Sequence, residues 1–324
     1  MRRLGELMGD AREQETLWIG GAESFSWMQK ERKTVHLYGL GDVGGTLLMG
    51  LKLLGGDTLE EIGIYDIREP MKARWEMEMN QVREADGSRR FPPVRTLEEE
   101  ELFSCDAFLF CASLGVPPVG SGVQDVRMAQ YAANAGLVRQ VASSAAAAHF
   151  SGLFCVVSDP VDPLCRTAAA AGLAPEQVKG FGLGVMYARA AYYAGKDPRF
   201  SSFLTQGAAF GPHGADLVIA NSLERYDDVL SRELTRLTVE ANLRVRDLGY
   251  KPYLAPALSS GALSVLAALE GRDHYSSTAL GEVFFGSRNR LTPQGIRVEN
   301  PALPDALYGR LEHAYQNLKE LKPL

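Results

Sequence analysis

The residue best suited to carry a proton is His213, set in the stretch FGPHGAD between Pro212 and Gly214. An imidazole exchanges its proton near neutral pH, but it becomes an effective acid and base only when a partner fixes its tautomer and orientation. Asp216, three residues on, is one candidate partner, although the same offset suits a carboxylate turned into the protein. A lone histidine is more often structural than catalytic, so the surrounding residues must decide.

A second group of residues could hold phosphates. TVHLYGLGDVGG places G-x-G-x-x-G at Gly39, Gly41 and Gly44, after a β-like run and at the opening of a helical one, with Asp42 and Val43 between the last two glycines. The first glycine permits a tight turn, the second lets the backbone approach a pyrophosphate, and the third lets helix and strand pack closely. The helix N-terminus adds a favourable dipole. Asp66 ends the next β-like run, 22 residues beyond Gly44. A carboxylate there accepts hydrogen bonds from an adenosine ribose and repels a 2′-phosphate, which favours NAD over NADP; Arg68 nearby pulls the other way.

These groups need elements to position them. From residue 34 short apolar runs alternate with helical ones: TVHLY (34–38), a helix through VGGTLLMGLKLL stopped by Gly55-Gly56, and IGIYD (62–66). A helix over 70–83, AFLFCAS (107–113), a long helix through VRMAQYAANAGLVRQVASSAAAA and LFCVVS (153–158) follow. Near-continuous apolar strands alternating with helices predict a parallel sheet covered on both faces, an α/β doubly wound domain over 34–164. Longer helices over 222–248 and 303–321, mixed with β-like EVFFGSRN and GIRVEN, predict an α+β domain over 165–324. Residues 1–33 are an extension. Its TLWIGGAESFSWM predicts a hairpin about Gly20-Gly21, serving as an oligomer arm or as a cover over a groove. Packing of Trp18, Phe25 and Trp27 on the parent domain is the equal alternative.

Composition limits the remaining choices. In a chain of 324 residues the net charge of −6 argues against general nucleic-acid binding, which would favour a basic face. Cys105, Cys111, Cys155 and Cys165 show no C-x-x-C spacing, so reduced thiols and no zinc-type cluster are expected. The N-terminus lacks the apolar run of a signal peptide, and no stretch reaches the roughly 18 apolar residues of a membrane span. A cytoplasmic location and no membrane partner are the expectation.

From residue 34 the motifs stand in the order of the lactate/malate dehydrogenase family, which the chain resembles along nearly its whole length. YGLGDVGG and YDI match the family's first two strands, and WEMEMNQV resembles the helix that follows. VVSDPVD (156–162) stands where the family reads S-N-P-V-D, and GFGLGVMYARAAYY (180–193) is similar to G-x-G-T-x-L-D-x-x-R. GPHGAD resembles G-x-H-G-D, and VFFGSRNRLTPQGIRVE resembles the closing strand pair.

The resemblance implies a doubly wound Rossmann NAD domain followed by a substrate domain, assembled as a homodimer or homotetramer. It also implies reversible hydride transfer between nicotinamide and a 2-hydroxy or 2-keto acid, a small-molecule carboxylate. By that resemblance His213 is the proton donor and acceptor, Arg189 clamps the substrate carboxylate, and Arg127 polarises the carbonyl, its register supported by Asn134 seven residues later. The cofactor-binding set it implies is Gly39, Gly41, Asp42, Val43, Gly44, Asp66, Ala112, Ser113, Asn134 and Ser158. LGVPPVGSGVQDV (114–126) corresponds to the family's mobile loop over the substrate.

Two departures matter. The family's aspartate partner of the histidine falls on Met186, and the asparagine of S-N-P-V-D is Asp159. A thioether cannot orient an imidazole or stabilise its charged form. Either Asp159 supplies the carboxylate from the other wall of the site, or the chain has lost ordinary 2-hydroxy-acid chemistry and serves as an NAD-binding protein with a regulatory or different task. The loop carries neither the extra arginine of malate-type enzymes nor the glutamine of lactate-type enzymes at the expected place, only Gln124 farther along. A more distant alternative is an NAD-using glycosidase with a metal held by Cys155 or Cys165 beside His213.

Overall fold

The computed structural model describes residues 1–10, 12–21, 24–114, 126–214 and 216–324, and of 126–129 the backbone only. One ten-stranded sheet runs through the molecule. Its parallel part comprises β2 (Lys33–Tyr38), β3 (Leu59–Tyr65), β4 (Val94–Thr96), β5 (Ala107–Phe110), β6 (Leu153–Val156) and β7 (Val178–Gly180), after the edge strand β1 (Thr16–Ile19). Every residue of β5 and β6 is buried, as the unbroken apolar runs require of strands covered on both faces. Helices α1 (Asp42–Leu54), α2 (Glu69–Asn80), α3 (Val126–Ala147) and α4 (Val161–Ala170) make the crossovers.

The strand order places the site. Strand β2 lies between β3 and β5: the chain builds outward through β3 and β4, then returns to add β5, β6 and β7 on the other side. The crevice at such a reversal lies beyond the carboxyl ends of the strands. Here it is bounded by Gly39–Val43 after β2 and Cys111–Leu114 after β5.

Beyond β7 the sheet continues antiparallel through β10 (His274–Leu280), β11 (Val283–Thr292) and β12 (Gly295–Glu299), joined at Gly180–Ser277. A separate hairpin of β8 (Ala208–Phe210) and β9 (Val218–Ala220) carries the loop that holds His213, and Gly211 N–H ties it to Gly286 of β11. The helices of this half are α5 (Leu183–Ala194), α6 (Asp228–Asp247), a π-helical Pro256–Leu263 that continues as the α-helical Ser264–Leu269, and α7 (Asp305–Glu320). Among the described residues no helix is long and apolar enough to cross a membrane.

Two local expectations are corrected. The hairpin about Gly20-Gly21 does not form: β1 pairs with β12, and Ser26–Gln29 is a 3-10 turn. Leu17, Phe25 and Trp27 are buried on the protein's own core, while Trp18, on the opposite face of the edge strand, stays 56% exposed. The helix read over 222–248 starts six residues late because Asp227 caps it through Leu230 N–H, and Asn221 accepts from Asp227 N–H to hold 222–226 as a loop.

One buried charge has a measurable consequence. Lys179 in β7 is fully buried, and its Nζ donates to Asn289 Oδ1 at 2.5 Å. Burial pushes its pKa from 10.5 down to about 7. Between these values the unfolded chain binds more protons than the fold, so this group makes stability rise with pH across that window. Lys179→Met should be more stable than the parent at pH 6 by about 2 kcal/mol, because an apolar side chain of similar length removes a poorly solvated ammonium. The gap should close as pH rises toward 9. Thermal melts of both proteins across that range check the sign.

Candidate active site

The turn after β2 is shaped for a phosphate. Gly39 has φ +97°, and a Cβ there would lie 2.8 Å from the Ala112 backbone; a Cβ on Gly44 would lie 1.9 Å from Gly39 O. Strand end and helix start are therefore in backbone contact. Around Gly41 nothing lies within 4 Å of where a Cβ would stand, so an anion has room at the N-terminus of α1. Asp66 closes this side and accepts from Leu40 N–H at 2.9 Å. Burial opposes its ionisation, but bonds from Arg68 and the Leu40 N–H outweigh that and hold the carboxyl below its usual range.

The cleft leading from this turn has a volume of about 680 Å³, with a smaller pocket of about 200 Å³ continuing from it. Val43, Ser113, Asp159 and His213 line both. His213 Nδ1 lies 2.9 Å from Asp159 Oδ1, with the ring's side chain only 10% exposed. Its main-chain N–H donates to Asp162 Oδ2 at 3.1 Å, and Asp162 Oδ1 accepts from Ser277 Oγ, so the loop is pinned to β10. The β8–β9 hairpin and the turn after β6 thus bring together two side chains 54 residues apart.

Beneath the ring lies Gly182, where a Cβ would stand 2.8 Å from His213 Cβ and 3.0 Å from its Cγ and Nδ1. Ser260 of the π-helix holds this platform: its Oγ donates to Gly182 O and accepts from Val185 N–H, both at 2.8 Å. Gly182→Ala should push the ring off Asp159 and cost about a hundredfold in turnover, the penalty of a misplacement near 1 Å. Dinucleotide affinity should stay unchanged, which calorimetry beside single-turnover rates would show.

The other predicted positions divide. Gly39, Gly41, Asp42, Asp66 and Ala112 line the cleft, and Ser158 lines the inner pocket while donating to Ala112 O at 2.6 Å. Asn134 is fully buried behind the wall instead, its Nδ2 bonded to Asp159 O at 2.8 Å and its Oδ1 accepting from Leu114 N–H at 3.0 Å. It braces the cleft rather than facing it. Arg189 on α5 lies one layer back, with Nη2 donating to Asn242 Oδ1 and Nη1 directed at Met186 Sδ, 3.5 Å away. Burial lowers its pKa, against the field of Asp159. Met186 therefore meets the arginine. Arg127 begins α3, but its side chain, like Gln124 and the rest of 115–125, lies outside the described residues.

Asp216 accepts from Asn317 Nδ2 at 3.1 Å, turned toward α7. Cys155 and Cys165 are buried in the core, burial raising both thiols, and among the described residues no group of three His, Cys, Asp or Glu could hold a metal. Among the lining residues that escaped the sequence reading are Gly182 and Ser260 beneath the ring, Asn242 and Arg246 of α6, and Lys251, whose Nζ meets Asp42 Oδ2 at 2.9 Å. Asn242 and Arg246 sit on a charged amphipathic helix and Lys251 in the segment after it, where they carry no local signal.

No protein-family model and no curated protein sequence matches the chain. Among solved structures, a lactate dehydrogenase from a Medee basin deep-sea metagenome library aligns with TM-score 0.75 at 18% identity, covering 90% of this chain and 98% of that one. The malate dehydrogenase from Archaeoglobus fulgidus, solved with NADH, aligns with TM-score 0.72 at 21% identity over 89% and 97%. A minor L-lactate dehydrogenase from Enterococcus mundtii gives TM-score 0.73 at 20% identity over 90% and 97%. The chain has the fold of the lactate and malate dehydrogenases. The match in structure spans both halves of the chain, so the likeness seen in the motifs extends to the architecture that carries them.

Proposed function

We propose that the chain is an NAD-dependent oxidoreductase that interconverts a small 2-hydroxy acid and its 2-keto acid. The observation that carries this reading is the 2.9 Å contact between His213 Nδ1 and Asp159 Oδ1 in a cleft that continues into a dinucleotide-shaped turn. The turn fits the cofactor: Gly41 leaves room for the pyrophosphate, α1 offers its N-terminal N–H groups, and Asp66 stands where an adenosine ribose would lie. A bound nicotinamide supplies the hydride chemistry.

The chain's own residues handle proton and charge. With Nδ1–H directed at Asp159, the acid–base position is Nε2, and the carboxylate stabilises the ring when it carries both protons. Asp159 thus takes the place of the acid that Met186 cannot provide. Arg189 is the anchor for the substrate carboxylate, and Arg127 polarises the carbonyl. Assembly as a homodimer or homotetramer belongs to the same proposal, supported by exposed leucines on α1 (Leu53, Leu54) and on the π-helix packed against it (Leu258, Leu263). The four free cysteines support a cytoplasmic setting.

The test is a panel of 2-keto acids with NADH, read by absorbance at neutral pH, beside thermal shift with NAD. Oxidation of NADH by one or more of them supports the proposal. Stabilisation by NAD with no turnover anywhere on the panel would leave a dinucleotide-binding protein without this chemistry.

A further inference from the structure

The adenosine end of the cleft differs from a plain NAD site in what it presents to the ligand. A carboxylate after the second strand ordinarily keeps its oxygens open to the ribose hydroxyls and excludes a 2′-phosphate by charge. Each oxygen of Asp66 instead accepts two bonds. Oδ1 takes Arg68 N–H at 3.1 Å and Arg68 Nε at 2.8 Å; Oδ2 takes Leu40 N–H at 2.9 Å and Arg68 Nη2 at 3.1 Å. The side chain of Asp66 is 7% exposed and that of Arg68 55%. Both line the cleft, so an incoming adenosine meets the guanidinium first.

The other acid of this turn is covered in the same way, for Lys251 Nζ lies 2.9 Å from Asp42 Oδ2. The carboxylates beside the phosphate turn are thus neutralised at contact distance, while cations of the wall stay exposed. That is an environment for a more highly charged dinucleotide.

Resting on the reading of the cleft as a dinucleotide site, we infer that its adenosine pocket admits a 2′-phosphate, so that the chain takes NADP(H) beside NAD(H), with Arg68 setting the ratio. Arg68 uses one edge of its fork on Asp66, and its other N–H donors suit a phosphate, which a planar guanidinium meets bidentately. For the cofactor lacking that phosphate, the ribose diol takes the place of Arg68 on Asp66, and the guanidinium, already 55% exposed, turns out into solvent.

Calorimetric titration of the full-length protein with NADH and with NADPH tests this without any turnover. The wild type should bind the two within about tenfold of each other, and Arg68→Ala should weaken NADPH about tenfold or more while leaving NADH unchanged or tighter. Arg68→Lys, which keeps the charge and loses the fork, should fall between. Exclusion of NADPH by a factor of about a hundred or more in a wild type that binds NADH overturns this inference and leaves the dinucleotide reading intact. Equal loss of both cofactors in Arg68→Ala overturns it as well. Failure of the wild type to bind either one removes the dinucleotide reading and this inference with it.

Discussion

Asp159→Asn is expected to lower turnover of the 2-keto acid by about a thousandfold, within the range for loss of a positioned proton-transfer system. The variant keeps the size of the side chain and the main-chain bond from Asn134 to the carbonyl of residue 159, so the turn after β6 should survive. What goes is the negative charge 2.9 Å from Nδ1. An amide can also present its NH2 to the ring, which would strip Nδ1 of its proton and leave a neutral imidazole with its proton on Nε2, a poor donor beside the doubly protonated ring. In the direction of keto-acid reduction the ring must arrive carrying both protons, the form that the Asp159 carboxylate stabilises. Stopped-flow single turnovers separate this step from product release. His213→Gln should cost about as much, and the double variant little more, because two groups acting as one unit are not additive. A rate for Asp159→Asn within a few-fold of wild type would remove Asp159 from the mechanism.

The sequence made some of this legible and hid the rest, and the division follows the range of the interactions. The strand runs and the glycine turn are local: TVHLY needs only its alternation with a helix to be read, and Gly39, Gly41 and Gly44 need only their spacing. The pairing of His213 with Asp159 is long-range. It became visible because one acid is missing at Met186 and another stands at 159, which family order could expose and periodicity could not. Asn242, Arg246 and Lys251 had no such clue, since only the packing of α6 and the segment after it across the cleft gives them a role. The alternation in TLWI correctly suggests a strand. Its partner, Gly295–Glu299, lies at the far end of the chain, and nothing local distinguishes that pairing from a hairpin.

Arg189→Lys is expected to lower kcat/KM for the 2-keto acid about a hundredfold, the loss of one charge-assisted hydrogen bond and of the fork that aligns the other. The guanidinium is held by Asn242 Oδ1 on one nitrogen and faces the Met186 thioether with another, both neutral acceptors that a carboxylate displaces readily. Burial depresses the group's pKa and Asp159 opposes that, but an arginine remains charged at any working pH. A lysine at 189 keeps the charge, so the fall measures geometry rather than electrostatics. Most of it should lie in KM, because the carboxylate is bound alike in ground and transition states. Calorimetric NADH affinity should stay within a few-fold of wild type, since Arg189 stands with Asn242, away from the phosphate turn. If affinity for the dinucleotide falls in step with kcat/KM, Arg189 supports the fold of α5 against α6 and the substrate anchor must be sought elsewhere, with Arg246, which lines the cleft, the next guanidinium to replace.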